Sequence, residues 1–221
     1  MSKLIVIYAL LAILFSALFA GTIAPADAQT TNIKFKGQSA DASWYYEQDG
    51  VSTSVFVFST DSVSRQGSTS LTDSAAYVGI YKYKLGDEVC SEYDGQKYCW
   101  NQYIPLEEFF GYSTINPTSF LTQGRLDGAS LDSNLTGYDY LSNSTKTVKV
   151  HINWKGYGDY SSGKNTYNYK SSSYVYKGNY LAIYRQANAT GSVSGDIVLN
   201  LDTSSGLLFS AKSGSVIVSH H

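Results

Sequence analysis

Two cysteines, Cys90 and Cys99, have the spacing that most directly predicts a chemical bond. They bound the segment CSEYDGQKYC, whose central Asp94-Gly95 is a strong signal for a two-residue hairpin turn, because type I′ geometry needs positive φ at both positions. A turn there places the cysteines opposite each other as a non-hydrogen-bonded pair. Such pairs bring Cα atoms to about 4.5 Å, within disulfide reach. We therefore predict a Cys90–Cys99 disulfide.

The N-terminus predicts the compartment in which that disulfide persists. Lys3 precedes an almost entirely apolar run at 4–20, and Ala26-Asp27-Ala28 fits a small-x-small cleavage site. We interpret residues 1–28 as a secretory signal peptide and residues 29–221 as the mature chain, without a membrane span. Such a chain is secreted, or displayed at the cell surface, where oxidising conditions favour disulfides.

Side chains suited to catalysis are few. The only histidines are His151, on the polar face of a predicted strand, and the terminal His220 and His221. Glu107 and Glu108 are adjacent, and adjacent carboxylates on a strand point to opposite faces, so they do not form an acid/base pair. No Gly-x-Ser-x-Gly elbow is present. We expect a non-catalytic protein, and the alternative is a secreted hydrolase with carboxylates from distant strands.

One polar segment resembles the start of a calcium loop. Asp132, Asn134 and Asp139 occur in DSNLTGYD and are the candidate ligands. The twelfth position of such a loop requires a bidentate Glu, and here it is Asn143. The interpretation that we favour is a polar turn without a cofactor, with calcium as the alternative.

Three Asn-x-Ser/Thr sequons are candidate glycosylation sites: Asn134, Asn143 and Asn188. A chain this rich in Asn, Ser and Thr contains sequons by chance. Their presence is therefore compatible with glycosylation and does not argue for it.

Tyrosine is the most conspicuous residue of the chain, which contains 20 of them. In TYNYKSSSYVYKG, a four-residue loop at 170–173 pairs Tyr169 with Tyr174. Two residues further from the loop, the same register pairs Tyr167 with Tyr176. All four rings then share one face of the hairpin and form a candidate binding strip, because flat aromatic faces stack on sugars or partner proteins. The alternative is that they only stabilise the hairpin or cover a core edge.

Period-two alternation indicates that strands position these groups. The clearest strand is 145–156, where Val148, Val150, Ile152 and Trp154 alternate with Lys149, His151 and Asn153. Further strands are predicted at 42–47, 51–60, 75–85, 179–191, 195–203 and 206–219. The segment 104–111 is a candidate for one short helical turn, with Pro105 near its start.

Composition and spacing together predict the fold class. Short strands separated by Gly-rich turns are typical of an antiparallel all-β sandwich or barrel, here a single domain with one hairpin disulfide, and the spacing does not decide between the two architectures. Acidic and basic residues nearly balance and are interspersed along the chain, so we expect no nucleic-acid partner.

The C-terminal part, with VKVHINWKGYGDY, YKGNYLAIYRQANATGSVSG and SAKSGSVIV, resembles a loose set of secreted bacterial and archaeal β-proteins. In that set one strand ends in Trp-x-Gly-x-Gly, a second carries Arg-x-Ala-x-Ala-x-Gly, and a last strand closes the chain. The corresponding residues here are Trp154, Gly156, Gly158, Arg185, Ala187, Ala189 and Gly191. The resemblance implies secretion and β-structure and carries no activity with it.

These observations predict an extracellular or cell-surface structural or adhesive protein, with itself or cell-surface glycans and proteins as partners. The competing interpretation is a carbohydrate-binding module that uses the tyrosine strip. One version of the adhesive role is self-assembly by strand addition through TTNIKFKG, where Ile33 and Phe35 alternate with Lys34 and Lys36. By default we expect this segment, residues 30–37, to lie in its own sheet.

Overall fold

The computed structural model of the protein describes residues 30–115 and 119–219. Residues 1–28, interpreted above as a signal peptide, lie outside the described residues, as do His220 and His221. The regular secondary structure of the described residues is β-strand, which confirms the predicted all-β class. None of the described segments forms a helix that is long and apolar enough to cross a membrane.

Ten strands form one antiparallel sheet. Their bounds are β1 Thr30–Gln48, β2 Val51–Gln66, β3 Thr69–Tyr93, β4 Gln96–Thr114, β5 Phe120–Gln123, β6 Gly128–Asp139, β7 Ser144–Gly156, β8 Ser161–Lys170, β9 Tyr174–Gly195 and β10 Leu199–Ser219.

The sheet closes on itself. Its strands follow the order β1-β2-β3-β4-β6-β7-β9, and β10 pairs with both β9 and β1 to complete a ring of eight strands. Of the two architectures compatible with the sequence, the closed one is therefore formed. β5 pairs with β6 beside the ring, and β8 pairs with β9 and forms the end of the strand order.

The core fills the inside of the ring. β7 shows the pattern: Val148, Val150 and Ile152 are fully buried, whereas Lys149 and His151 between them are exposed, as predicted. Each buried Val or Ile side chain contributes about 1.5–3 kcal/mol through the hydrophobic effect. We call the face lined by the core the inner face of the sheet, and the opposite face the outer face. The core comprises Ala40, Ala42, Trp44, Val55, Val57, Val78, Ile80, Phe109, Leu131, Leu135, Val148, Val150, Ile152, Trp154, Ala187, Ala189, Val193 and Leu208, among others.

Asp-Gly turns set the register of two hairpins. Asp49 and Gly50 have φ values of 52° and 73° and join β1 to β2, and Asp94 and Gly95, at 53° and 72°, join β3 to β4. Such values at both positions are those of the turn type predicted from the sequence.

The predicted disulfide is formed. Cys90 faces Cys99 across β3 and β4 with Cα atoms 4.0 Å apart, and Glu92 faces Lys97 in the same register. Beyond the ring, β3 and β4 continue as a hairpin that carries this bond, residues 85–103, which we call the disulfide arm.

Three details of the strand prediction are wrong, and each of them lies at a bulge. Residues 104–111 belong to β4 and form no helical turn, because Pro105 sits beside a register shift that a bulge accommodates. The predicted strand 75–85 does not end at Leu85, because β3 continues through a bulge at Gly86-Asp87 to Tyr93. The predicted strands 195–203 and 206–219 merge from Leu199 onward into one strand, β10, with a bulge between Leu201 and Ser204.

Six strands extend beyond the ring at the end opposite the disulfide arm. We call this part the sheet extension; it comprises residues 30–38, 60–66, 69–74, 161–170, 174–184 and 210–218. Within it, β1 pairs with β10 on one side and β2 on the other. The segment 30–37 therefore lies in its own sheet, as expected by default.

Candidate functional site

The β8–β9 hairpin carries the predicted tyrosine strip, and a serine sets its loop. The Ser171 backbone N–H donates to the Tyr174 carbonyl oxygen at 2.9 Å. The backbone N–H groups of Ser173 and Tyr174 donate to Ser171 Oγ at 3.2 and 3.1 Å. These bonds enclose a loop at 171–174, and Lys170 faces Val175.

The predicted register of this hairpin is wrong by two residues. Tyr169 faces Tyr176, and Tyr167 faces Gly178. Because side chains alternate between faces with a period of two, this shift leaves all four tyrosines on the outer face. The strip therefore exists, with different partners from those predicted.

Two of the four rings form a fixed base. The rings of Tyr167 and Tyr176 stack with centroids 5.0 Å apart and 20° between their planes, and their hydroxyls lie 3.1 Å apart. Tyr167 also covers Gly178, where an added Cβ would clash with its ring. Burial, followed by the hydrogen bond with Tyr176, raises the pKa of Tyr167 to about 12.

The other two rings offer free surface. Tyr169 is 55% exposed and Tyr174 40% exposed, with ring centroids 5.7 Å apart and a tilt of 38° between the planes. Both lie at the loop end of the β8–β9 hairpin, Tyr169 on the edge strand β8 and Tyr174 on β9. Two open aromatic faces on a rigid base can stack on a sugar ring or on apolar side chains of a partner.

A second aromatic surface lies on the outer face of β2, β3 and β4. The ring of Tyr77 lies 5.9 Å from Phe58, 4.8 Å from Tyr112 and 6.4 Å from Phe110. Phe110 and Tyr112 are each about two-fifths exposed. This surface was not predicted from the sequence, although apolar residues on both faces of the strand at 55–58 are a signal for it.

The structure does not bring the candidate calcium ligands together. Asp132 lies on the outer face of β6, 3.2 Å from Lys149 Nζ, and hydrogen bonding to Lys149 lowers its pKa. Asn134 is exposed two residues further along, whereas Asp139 is buried on the inner face. Asp132 and Asp139 lie on opposite faces of one strand, about 23 Å apart along it.

Glu107 and Glu108 point to opposite sides of β4, as expected for neighbours on a strand. Glu107 belongs to an ion network at the arm end of the ring, where Lys82 Nζ lies 2.6 Å and Lys146 Nζ 3.0 Å from its carboxylate oxygens. Lys146 also lies 2.6 Å from Asp139 Oδ2. Burial raises the pKa of Asp139, but hydrogen bonds outweigh it, and the net pKa lies well below the usual carboxyl range. The network joins its two carboxylates through Lys146 and ties β3, β4, β6 and β7 together at this end of the ring.

The three sequons and His151 are all exposed. Asn134 and Asn188 lie on strands, and Asn143 lies in the β6–β7 turn with a φ of 54°. His151 Nδ1 lies 3.3 Å from Asp132 Oδ2. Glycosylation of these asparagines stays a prediction.

The motif residues of the C-terminal resemblance meet at the extension end of the ring. Trp154 faces Ala189 and Gly156 faces Ala187 across β7 and β9. Arg185 donates from Nε to the Gly158 carbonyl oxygen at 3.1 Å. A Cβ at Gly156 would lie 2.5 Å from the carbonyl oxygen of Leu126, so only glycine fits there. Close packing accounts for this pattern of residue types.

Arg185 also anchors the loop before β6. Its guanidinium lies 2.7 Å from Asp127 Oδ1 and 4.6 Å from the ring centre of Tyr160. The Tyr160 hydroxyl donates to the same Asp127 oxygen at 2.8 Å. These three side chains satisfy one another and hold the end of the ring together.

Comparison with protein-family models and with curated proteins found no match. Among solved structures, the enduracididine biosynthesis enzyme MppR is similar at 6% identity over 91% of both chains, with a TM-score of 0.14. The outer membrane protease OmpT from Escherichia coli is similar at 7% identity over 90% of this chain and 99% of its own, with a TM-score of 0.13. TM-scores this low carry no argument about fold or activity.

Proposed function

We propose that the protein is a secreted, non-catalytic structural or adhesive protein of the cell surface, and that it contacts its partner through the tyrosine strip. The observation that carries this proposal is the pair of open rings, Tyr169 and Tyr174, held on the stacked base of Tyr167 and Tyr176. A rigid aromatic surface of this kind gives contact area at little cost in side-chain entropy.

The disulfide supports the secreted part of the proposal. Cys90 and Cys99 are both exposed on the disulfide arm, and an exposed disulfide persists in an oxidising compartment. Closing so short a loop stabilises the arm by about 2–3 kcal/mol in the chain-entropy model.

The second candidate function is a carbohydrate-binding module with the same strip as its site. The two exposed neighbouring rings of Tyr169 and Tyr174, with centroids 5.7 Å apart, favour it, because open aromatic faces stack on sugar rings. A glycan array separates the two candidates, since an adhesive protein of the first kind binds surface proteins or further copies of itself.

The test compares attachment of the purified mature chain to cell surfaces with that of two double variants. Tyr169→Ala with Tyr174→Ala removes the open rings, and Tyr93→Ala with Tyr140→Ala removes two exposed rings elsewhere. We run the assay at about 1 M salt, where the Debye length is about 3 Å and charge–charge attraction is screened. Loss of attachment in the first variant alone supports the proposal, and equal attachment in both variants overturns it.

A further inference from the structure

The inner face of the sheet extension gathers seven cationic side chains. All are exposed, and they come from five strands: Lys34, Lys36, Arg65, Lys164, Lys170, Lys177 and Lys212. Each strand contributes only one or two of them, so they form no cluster in the sequence. We call this surface the basic face.

The strand register places these cations in neighbouring rows. A row here is a line of paired residues that runs across the strands. In one row Lys36 faces Lys212 across β1 and β10, Lys212 faces Leu181 on β9, and Leu181 faces Lys164 on β8. One row further out, Lys34 faces Arg65 across β1 and β2. Directly opposed like charges destabilise a sheet, so two such pairs leave repulsion that an anion would relieve.

Carboxylates are nearly absent from the same surface: Asp61 alone lies on the inner face of the sheet extension, and its Oδ1 accepts a hydrogen bond from Ser74 Oγ at 2.6 Å. The stretches 30–36, 63–66, 164–170, 174–181 and 212–218 contain neither Asp nor Glu. Within the described part of the chain, none of the seven cations belongs to a salt bridge. The basic face therefore keeps its positive potential, although the whole chain has a formal net charge of −2.

Polar side chains line a cleft between the cations. The cleft has a volume of about 500 Å³, and its walls include Asn32, Asn168, Asn179 and Thr166 as well as Lys34 and Lys177. Amides and hydroxyls offer both donors and acceptors, which suits a ligand rich in hydroxyl groups. The floor of the cleft is open at Gly214, which has no side chain. A Cβ added there would have Asn179 Oδ1 as its nearest neighbour, at 3.7 Å.

We propose that the basic face binds an anionic polysaccharide, whose uronate or sulfate groups contact the lysines and whose hydroxyls contact the asparagines. The face spans about 20 Å along the strands and about 19 Å across them, which suits a segment of an extended polymer. The aromatic rings of the extension all lie on its outer face. Single-stranded nucleic acids bind through stacked bases, so the inner face is the wrong surface for them. The site lies on the opposite face from the tyrosine strip and goes beyond the proposed function.

The test measures binding of the mature chain to heparin and polygalacturonate by fluorescence anisotropy over a salt series. Dextran is the neutral probe, and a DNA duplex is the competing polyanion. The variant K34Q/K177Q/K212Q removes three charges from the basic face. The matched control K84Q/K97Q/K155Q removes three exposed charges elsewhere.

We expect binding to one or both anionic polysaccharides, none to dextran, and affinity at least ~10-fold weaker for the face variant at about physiological salt. The slope of log affinity against log salt should fall by about 2–3 for that variant and stay unchanged in the control. Equal losses in both variants, or no binding to either polysaccharide, overturn the proposal. Tighter binding to the DNA duplex overturns it in favour of a nucleic-acid site. The Tyr169→Ala/Tyr174→Ala variant keeps polysaccharide binding, which separates this proposal from the function proposed above.

Discussion

The ring of Tyr167 lies over Gly178, the residue that faces it on the neighbouring strand. A Cβ added at Gly178 would meet the far end of that ring, so a larger residue there must displace the ring. The ring is thereby held against Tyr176, which makes Gly178 the residue that positions the base of the strip.

Gly178→Ala should displace the Tyr167 ring from its stack with Tyr176. We expect the pKa of Tyr167 to fall from about 12 toward its ordinary value of 10.0, because burial is the main cause of its elevation. Ultraviolet titration of the phenols checks this shift, with a Tyr167→Phe variant to assign it. Gly163→Ala is the matched control, since a Cβ there meets no atom within 4 Å. An unchanged titration in Gly178→Ala would show that the ring is not held by this contact.

Asp139→Asn should destabilise the fold by about 2–4 kcal/mol near neutral pH, because Lys146 and Ser142 lose a buried ionic partner. The folded-state pKa of Asp139 is lowered, so its contribution is complete above the unfolded value of about 3.9 and is lost as pH falls below it. Urea unfolding at several pH values measures both effects. Asp132→Asn, which removes an exposed pair with Lys149, should cost under about 1 kcal/mol. Similar costs at both positions would contradict the structural role of the network.

Reduction of the Cys90–Cys99 bond should loosen the disulfide arm and leave the ring intact. The arm is exposed and contributes little to the core, so its opening is local. Hydrogen exchange measured by mass spectrometry should rise at 85–103 and stay constant at 148–154. A rise in both regions would show that the arm and the ring unfold together.

Mass spectrometry of the native product should find an N-terminus at Gln29 and no free thiol. Export and cleavage after Ala28 predict the first result, and the oxidised pair in the structure predicts the second. A chain that retains Met1, with Cys90 and Cys99 both open to alkylation, would contradict secretion.

Deletion of residues 30–36 should lower the melting temperature markedly. The segment pairs with β10 and β2 along both edges, so its removal strips two neighbours of their hydrogen bonds. Thermal unfolding followed by circular dichroism measures the loss. A deletion variant of unchanged stability that has lost self-association would instead favour strand addition to a neighbouring copy.

Local chemistry made part of this structure predictable. The register around Cys90 and Cys99 follows from two residues, Asp94 and Gly95. Both accept positive φ, which places the two-residue turn at these positions and pairs the cysteines by counting outward from it. In the β8–β9 hairpin the loop is instead chosen by Ser171, whose hydroxyl accepts two backbone N–H groups. Several serines in a row offered that role, so the sequence did not single out one register.

Long-range pairing explains what the sequence did not show. Closure of the ring depends on β10 meeting both β1 and β9, and residues such as Ala42 and Gly206 are far apart in the chain. The basic face has the same origin, since Lys36 and Lys212 become neighbours only through that pairing. Charge counted along the chain therefore conceals a surface that the fold assembles.

The position of β8 at the end of the strand order has a consequence for larger assemblies. A strand that paired with the free edge of β8 would extend both faces of the sheet at once, the outer face with its aromatic rings and the inner face with its cations. Polymerisation along that direction would produce a two-sided ribbon, with rings on one surface and positive charge on the other.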